Sequence, residues 1–173
     1  MKSILSHQQI SLTIKRLANQ LLESHSGLEG TVIIGIQPRG IFLSDRIVQE
    51  VKAEASVPVT YGKLDITFYR DDIRKEIHVP NQTHIDFSIE GKRVVLIDDV
   101  LYTGRTIRAA MDALMDFGRP EKVELLVLID RRYSRELPIQ PDYTGRSIDS
   151  IVSQRVKVNW KEKDGVDEVV LIG

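Results

Sequence analysis

The sequence contains no cysteine. This absence excludes disulfide bonds, thiolate metal sites and any catalysis that depends on a cysteine nucleophile or on thiol redox chemistry. The sequence also lacks an apolar run approaching the roughly 20 residues that a membrane span needs. We therefore expect a soluble, cytoplasmic protein with no membrane partner.

A strong charge of either sign is missing as well. The net charge is −1 and the isoelectric point is about 6.4. The chain therefore lacks the overall cationic field typical of nucleic-acid-binding proteins, although a local basic face stays compatible with these values. The four histidines, at positions 7, 25, 78 and 84, have no metal-ligand spacing and are predicted to lie on the surface.

The chain length of 173 residues suits one domain, which we place at 1–173. Apolar periodicity predicts helices at 4–25, with Ser6 as the cap, at 41–51, and after Gly104, and strands at 31–36, 58–69, 93–97 and 123–129. Three of these strands, at 31–36, 93–97 and 123–129, lack a polar alternation, whereas 58–69 alternates, and helices separate most of the strands. The pattern favours an α/β fold in which helices flank both faces of a mainly parallel central sheet.

Two segments depart from this pattern. Residues 70–90 are polar and have no steady period, which predicts a hairpin or a mobile flap. An irregular stretch of about 20 residues in a compact domain usually serves a function, although a plain surface hairpin is the alternative. From residue 137 to 173 the chain changes character, and short strands at 156–160 and 169–172 predict a small C-terminal hood.

Chemistry-bearing residues follow three of the predicted strands. They occupy segments 35–40, 98–106 and 130–132. Because ligands of open parallel sheets bind beyond the carboxyl ends of the strands, we expect these segments to form one site.

The central segment carries two adjacent carboxylates, Asp98 and Asp99, at the end of a buried strand. Such a pair repels and raises the pKa of each member, unless hydroxyl donors or a cation compensate the charge. A ribose diol with a metal would do so. Residues 103–106 place two hydroxyls, a glycine and free amides at a helix N-terminus, which favours a phosphate. The alternative is that the acids only cap a turn.

The run from Val94 to Thr106, VVLIDDVLYTGRT, resembles the 5-phosphoribosyl-1-pyrophosphate (PRPP) motif of type I phosphoribosyltransferases. In detail, DDVLYTGRT is similar to the pyrimidine operon attenuation regulators that double as uracil phosphoribosyltransferases. The blocks at 64–72 and 135–139 also resemble that family, so the resemblance covers nearly the whole chain. It implies the type I phosphoribosyltransferase fold, with the flap and the hood described above.

The resemblance implies a PRPP site in which the acid pair binds the ribose hydroxyls, segment 103–106 binds the 5-phosphate, and Arg39 lies at the pyrophosphate. Mg²⁺ is expected to bind mainly through that pyrophosphate, without dedicated protein ligands. In relatives the peptide before that arginine tends to be cis, which here is the Pro38–Arg39 bond. The implied PRPP-binding residues are Pro38, Arg39, Gly40, Asp98, Asp99, Val100, Leu101, Tyr102, Thr103, Gly104, Arg105 and Thr106, and the implied catalytic residues are Arg39, Arg70, Asp98 and Asp99.

The implied reaction displaces pyrophosphate from C1 of the ribose through an oxocarbenium-like state, with the flap and its Arg70 excluding water. Hypoxanthine-guanine relatives carry an acid where Tyr102 stands, so a pyrimidine, uracil, is the expected base. Arg131 and the backbone near Val156 are its expected contacts. The segment 130–138 is one residue longer than the family's usual Asp-Arg-Gly-His-Arg-Glu-Leu-Pro.

Two further functions stay open at this stage. The family also implies an mRNA-binding attenuation regulator that senses UMP or UTP, acting as a homo-oligomer. Its candidate RNA contacts are Lys15, Arg16, Arg135 and Arg146, whereas Ser11 and Leu12 stand where relatives commonly have arginines. The other alternative is a phosphoribosyltransferase of purine salvage.

Overall fold

The computed structural model describes residues 1–71, 80 and 82–173. In chain order its strands are β1 (Lys2–Leu5), β2 (Thr31–Ile36), β3 (Thr60–Leu64), β4 (Arg93–Leu101), β5 (Lys122–Arg132), β6 (Tyr143–Asp149), β7 (Arg155–Asn159) and β8 (Glu168–Ile172). The α-helices are α1 (His7–Ser24), α2 (Gly40–Lys52), α3 (Arg105–Leu114) and α4 (Lys161–Asp164). Short 3-10 turns lie at Ser26–Leu28, Thr67–Tyr69 and Met115–Phe117.

The central sheet has the strand order β3-β2-β4-β5-β6, and every neighbouring pair is parallel. Successive residues of its inner strands enter two different cores. On one face Ile33, Val95 and Leu126 pack with α1 and α2, and on the other Val94 and Leu96 pack with α3. Both faces are therefore apolar, which explains why these strands lack a polar alternation and confirms the predicted α/β architecture.

The first helix begins later than its periodicity predicted. Ser6 caps it, since its hydroxyl accepts a hydrogen bond from the Gln9 amide while the Gln9 side chain accepts one from the Ser6 amide. Residues Lys2–Leu5 instead form β1, which pairs antiparallel with β8. Ile4 was therefore wrongly assigned to the helix, because four residues are too few to distinguish a helical period from an extended one.

The C-terminal part divides between two sheets. β7 and β8, which match the two strands predicted in the tail, join β1 in a three-stranded antiparallel sheet of order β1-β8-β7. We call this sheet together with α4 the hood. β6, which the sequence did not reveal, belongs to the central sheet, so residues 143–149 of the expected hood lie elsewhere.

The strand predicted at 58–69 is shorter than expected, because it ends at Leu64 and is followed by the 3-10 turn at Thr67–Tyr69. Of the flap expected at 70–90, residues 72–79 and 81 lie outside the described residues. On its far side His84 pairs with Lys63 through two backbone hydrogen bonds of 2.9 and 2.8 Å. That end of the segment is therefore attached to the edge of β3.

The histidine at position 25 is not on the surface. Its side chain is 2% exposed, its Nδ1 lies 3.0 Å from Thr31 Oγ1, and its Nε2 lies 2.8 Å from Glu124 Oε1. Burial lowers the pKa of His25, although the Glu124 carboxylate acts in the opposite direction. His7 and His84 are exposed as predicted, whereas His78 lies outside the described residues. Among the helices in the described ranges, none is long and apolar enough to cross a membrane.

Candidate active site

The three segments singled out in the sequence meet at one edge of the central sheet. β2, β4 and β5 are neighbours and parallel, so the residues that follow β2 and the carboxyl ends of β4 and β5 lie side by side. Asp98 and Asp99 are still within β4, and Asp130 is aligned with Leu101 across the ladder. This edge therefore holds the candidate site.

The acid pair is buried. Asp98 and Asp99 are each 7% exposed, and Asp98 Oδ1 accepts a hydrogen bond of 2.9 Å from the Asp99 amide. Burial and the neighbouring charge of Asp99 raise the pKa of Asp98 well above its usual range. Burial also raises the pKa of Asp99, and the guanidinium of Arg39 opposes that shift. The fold thus buries two carboxylates where neither ionises easily. Such burial is unfavourable unless a ligand donates hydrogen bonds to the carboxylates or supplies a positive charge.

Arg39 connects the acid pair to the hood. Its Nε lies 3.5 Å from Asp99 Oδ2, and its Nη2 lies 3.3 Å from Asp164 Oδ2 and also donates to the carbonyl of Val158. The Pro38–Arg39 peptide, which tends to be cis in relatives, is not cis in this chain. The cis peptide is Gln37–Pro38, one position earlier in the chain.

Gly40 permits the close approach of α2 to β4. A β-carbon at this position would lie 2.7 Å from the carbonyl oxygen of Ile97 and 3.0 Å from both Cα and Oδ1 of Asp98. Because two of these are backbone atoms, they cannot rotate away. A side chain at position 40 would therefore push the start of α2, with Arg39, away from the acid pair.

The turn after β4 has the form expected of a phosphate cradle. Gly104 has a φ of +94°, which glycine adopts without strain, and α3 begins at the next residue without a side-chain cap. The carbonyl of Thr103 accepts hydrogen bonds from the amides of Glu136 and Leu137, at 2.9 and 3.2 Å. These bonds fix the turn from behind. The Arg105 amide donates to Thr103 Oγ1 at 3.3 Å, and the positive end of the helix dipole favours an anion beside this first turn of α3.

Comparison of the chain with known proteins identifies its family. The model of the phosphoribosyl transferase domain matches residues 1–163. Among curated relatives, a protein named bifunctional protein PyrR from Picosynechococcus sp. is 45% identical over 98% of this chain and 96% of its own length, and one from Enterococcus faecalis is 42% identical over the same shares.

The chain belongs to the phosphoribosyltransferase family. Its identity of 42–45% over nearly its full length to proteins named bifunctional protein PyrR shows that it is related to them, which confirms the family resemblance stated in the sequence analysis. The fold agrees, since the hypoxanthine phosphoribosyltransferase of Trypanosoma cruzi superimposes with a TM-score of 0.75 over 99% of this chain and 95% of that chain, at 18% identity. At such low identity the superposition supports the fold alone.

In this phosphoribosyltransferase one of the residues expected at the base, Arg131, lies beside the turn that follows β4. The guanidinium carbon of Arg131 lies 4.0 Å from the ring centroid of Tyr102, so the two groups are in cation–π contact. Arg131 is 5% exposed and donates to Ser150 Oγ, to the Ile151 carbonyl and to the Gln154 carbonyl. Burial lowers the pKa of Arg131. Its side chain thus connects the end of β5 to the segment that leads into β7, where Val156 lies partly buried.

Arg70, the expected catalytic residue of the flap, is among the described residues. It follows the Thr67–Tyr69 turn and is partly buried. Its charge acts to lower the pKa of Asp98, against the stronger effects of burial and Asp99 that raise it. Arg70 therefore lies within electrostatic reach of the acid pair.

Of the four basic residues predicted to contact RNA, the three arginines donate hydrogen bonds within the protein. Arg135 donates to Asp130 Oδ1 and to the Tyr102 carbonyl, both at 2.7 Å, so it braces the candidate site. Arg16 donates to the Gly145 carbonyl of β6 at 2.6 Å, and Arg146 donates to the Ile4 carbonyl at 2.8 Å. Lys15 is exposed on α1.

The sequence did not reveal the contribution of the hood. Asp164, in the charged helix α4, accepts hydrogen bonds from Arg39 and from the Trp160 amide. Trp160 is fully buried, and its indole lies close enough to Asp99 to lower the pKa of that carboxyl. Its Nε1 nevertheless makes no hydrogen bond of standard geometry within the described part of the chain. The sequence pattern of one tryptophan followed by a charged turn did not indicate the contact of Asp164 with Arg39 or the proximity of Trp160 to Asp99.

Proposed function

We propose that this phosphoribosyltransferase transfers the 5-phosphoribosyl group of PRPP to uracil and forms UMP and pyrophosphate. The observation that carries the proposal is the buried Asp98–Asp99 pair immediately before the uncapped turn at 103–106. Ribose hydroxyls would donate to the two carboxylates and offset the cost of burying them. The 5-phosphate would then lie at the amides of the turn, about one sugar away.

In the proposed reaction the bond between C1 and the pyrophosphate oxygen breaks with its electron pair going to the pyrophosphate, a bond forms from C1 to N1 of uracil, and the N1 proton passes to the released pyrophosphate or to water. Positive charge develops on the ribose ring as the leaving group departs. Once the ribose hydroxyls donate to them, the ionised carboxylates of Asp98 and Asp99 stabilise that charge, while Arg39 neutralises part of the leaving pyrophosphate. The acid pair is held by the fold before substrate binds, whereas Arg39 would exchange part of its contact with Asp99 and Asp164 for the pyrophosphate.

The donor set suits Mg²⁺ held through the substrate. Protein sites for this cation commonly supply one or two carboxylates and leave the other positions to phosphate oxygens and water. Since the ribose hydroxyls use Asp98 and Asp99 in this proposal, pyrophosphate oxygens and water would be the main ligands of the cation; the described residues contain no group of three histidine or acidic side chains that would form a separate metal site. When bound, the cation would supply additional neutralisation of the pyrophosphate.

The choice of uracil rests on the residues near the base. Tyr102 presents a phenol ring packed against Arg131, where hypoxanthine-guanine relatives carry an acid. A pyrimidine needs less protonation at the ring during transfer than a purine, so the absence of that acid favours uracil. Arg131 and the segment leading to Val156 would then contact the carbonyl oxygens of the base.

The test measures UMP, IMP and AMP formation side by side, from PRPP with Mg²⁺ and with uracil, hypoxanthine or adenine. We expect kcat/KM for uracil to exceed that for either purine by at least about 100-fold, since unpaired polar groups in a base pocket discriminate by that order. IMP or AMP formation at the rate of UMP formation would contradict the assignment of the base. Absence of all three products would contradict the transferase.

We also propose that the chain binds the leader mRNA of pyrimidine genes as an attenuation regulator. The support is its identity of 42–45% to proteins named bifunctional protein PyrR. Lys15 and Arg16 on α1, together with Arg146 on β6, are the candidate contacts. Affinity for that RNA should fall with rising salt, and Lys15→Gln should reduce the log–log slope by about 1. A slope near zero in the unmodified protein would contradict RNA binding.

A further inference from the structure

The chain just before the undescribed residues lies along α3. Tyr69 donates its hydroxyl proton to the Asp116 carboxylate in the turn that follows the helix. At the other end of α3, the Asp71 carboxylate accepts a hydrogen bond of 2.6 Å from Arg105 Nη1 and lies 3.6 Å from Arg108 Nη1. Residues 67–71 are therefore attached to the helix at both of its ends.

Arg105 also contacts the loop on the other side of the phosphate turn. Its Nε donates to Glu136 Oε2 at 2.7 Å, and the amide of Glu136 donates to the carbonyl of Thr103. A single guanidinium therefore joins the two segments that flank the turn. Because two carboxylates already share its charge, the side chain of Arg105 is poorly suited to bind the 5-phosphate, which leaves that role to backbone amides and threonine hydroxyls.

The position of Asp71 matters for its neighbour in the chain. Arg70 precedes Asp71 directly and lies within electrostatic reach of Asp98. The Asp71–Arg105 ion pair restrains the backbone directly after Arg70. Asp71 thus acts on the site through Arg70 and makes no contact with a reacting atom itself.

We propose that Asp71 is a positioning residue, whose ion pair with Arg105 holds Arg70 beside the Asp98–Asp99 pair during phosphoribosyl transfer. The inference rests on the proposed function and deepens it. It assigns the side chain of Arg105 to the internal organisation of the site, whereas its backbone amide remains part of the phosphate turn.

The solvent exposure of the Asp71–Arg105 ion pair makes it possible to distinguish a positioning role from a purely structural role. Asp71 and Arg105 are 38% and 40% exposed, and ion pairs of such exposure contribute little to the stability of a fold. Loss of the pair should therefore leave the melting temperature nearly unchanged. Misplacement of a catalytic cation lowers the rate even when the fold persists.

The experiment compares Asp71→Asn with Asp112→Asn, its matched control. Asp112 is an exposed acid on α3, the helix that carries Arg105 and Arg108. Its carboxylate lies 3.8 Å from Arg108, which Asp71 also approaches, but it does not contact Arg105. We expect Asp71→Asn to lower kcat/KM for PRPP about tenfold, with a melting temperature within about 3 °C of the unmodified protein. Asp112→Asn should stay within about twofold, because it leaves the Asp71–Arg105 pair intact. Asp71→Glu should recover part of the loss.

A second readout does not depend on the base. Hydrogen exchange of residues 67–71 is measured with and without Mg²⁺ and PRPP, and we expect the ligand to protect this segment in the unmodified protein and in Asp112→Asn but not in Asp71→Asn. If no UMP forms but this protection pattern holds, uracil transfer is wrong and the positioning role stands. If UMP forms and the two variants behave alike in both measurements, the positioning role is wrong and the transferase stands.

Discussion

Replacing both Asp98 and Asp99 by asparagine is expected to abolish phosphoribosyl transfer while making the fold more stable. Asparagine keeps the size of each side chain but loses the negative charge. The ribose hydroxyls lose their charge-assisted acceptors, and the positive charge developing on the sugar loses its nearest compensation. We expect kcat/KM to fall about a thousandfold or more, as when a preorganised electrostatic group is removed.

The expected gain in stability follows from the sign of the pKa shifts. Burial, with the charge of Asp99, raises the pKa of Asp98, and burial raises the pKa of Asp99. Both groups therefore hold a proton more tightly in the folded chain than in the unfolded chain. Their favourable contribution is present below the ordinary carboxylate pKa of about 4 and is lost as the pH rises through the folded values. At pH 7, well above the ordinary carboxylate pKa, burial of the two acids therefore opposes folding, and burial of asparagines does not carry this cost.

Thermal unfolding of the ligand-free protein measures this effect. The melting temperature of the double variant should exceed that of the unmodified protein at pH 7, and the difference should shrink as the pH falls towards 4. A double variant that is less stable at pH 7 would show that the acids are structural caps of the turn. Full activity in a stable double variant would remove the acid pair from the proposed mechanism.

The second large effect is expected for Gly40→Ala. The added methyl group would meet the Ile97 carbonyl at 2.7 Å and the Cα of Asp98 at 3.0 Å, so α2 or β4 must shift. Overpacking of this kind costs about 1–3 kcal/mol of unfolding free energy. A shift of about 1 Å between Arg39 and the acid pair should lower kcat about 100-fold. Denaturant unfolding and steady-state kinetics measure the two effects separately.

Gly91→Ala is the matched control for this variant. Gly91 lies in the turn before β4, at the opposite edge of the sheet, and has a φ of +65° with open space where a β-carbon would lie. Alanine there should cost about 1–2 kcal/mol through backbone strain without changing kcat. If Gly40→Ala and Gly91→Ala lost stability and activity in parallel, general destabilisation would explain both results, and the close approach at Gly40 would have no separate role.

Local chemistry explains why much of the site could be predicted from the sequence. The acid pair, the turn at 103–106 and the start of α3 are adjacent in the chain, so a strand, two carboxylates and a glycine turn already determine their arrangement. Parallel pairing of β2 with β4 and of β4 with β5 then brings Arg39 and Asp130 to the same edge. A parallel sheet requires this juxtaposition, and the alternation of strands and helices predicted the sheet.

Contacts between distant parts of the chain could not be predicted in this way. Asp164 reaches Arg39 across 125 positions, and no local pattern in a charged turn indicates such a partner. β6 was not predicted because Gly145 and polar residues interrupt its apolar pattern. The structure explains the glycine, since a β-carbon at Gly145 would lie 2.4 Å from the Leu128 carbonyl of the neighbouring strand. His25 looked like a surface residue because its partner Glu124 is far away in sequence.

The most direct test of the account is the structure of the protein with PRPP and Mg²⁺ bound. We expect the two ribose hydroxyls within hydrogen-bonding distance of the carboxylates of Asp98 and Asp99, and the 5-phosphate at the amides of residues 103–106. The Asp71–Arg105 ion pair should persist in that complex. PRPP bound elsewhere, with the turn after β4 unchanged and free of ligand, would contradict the central claim.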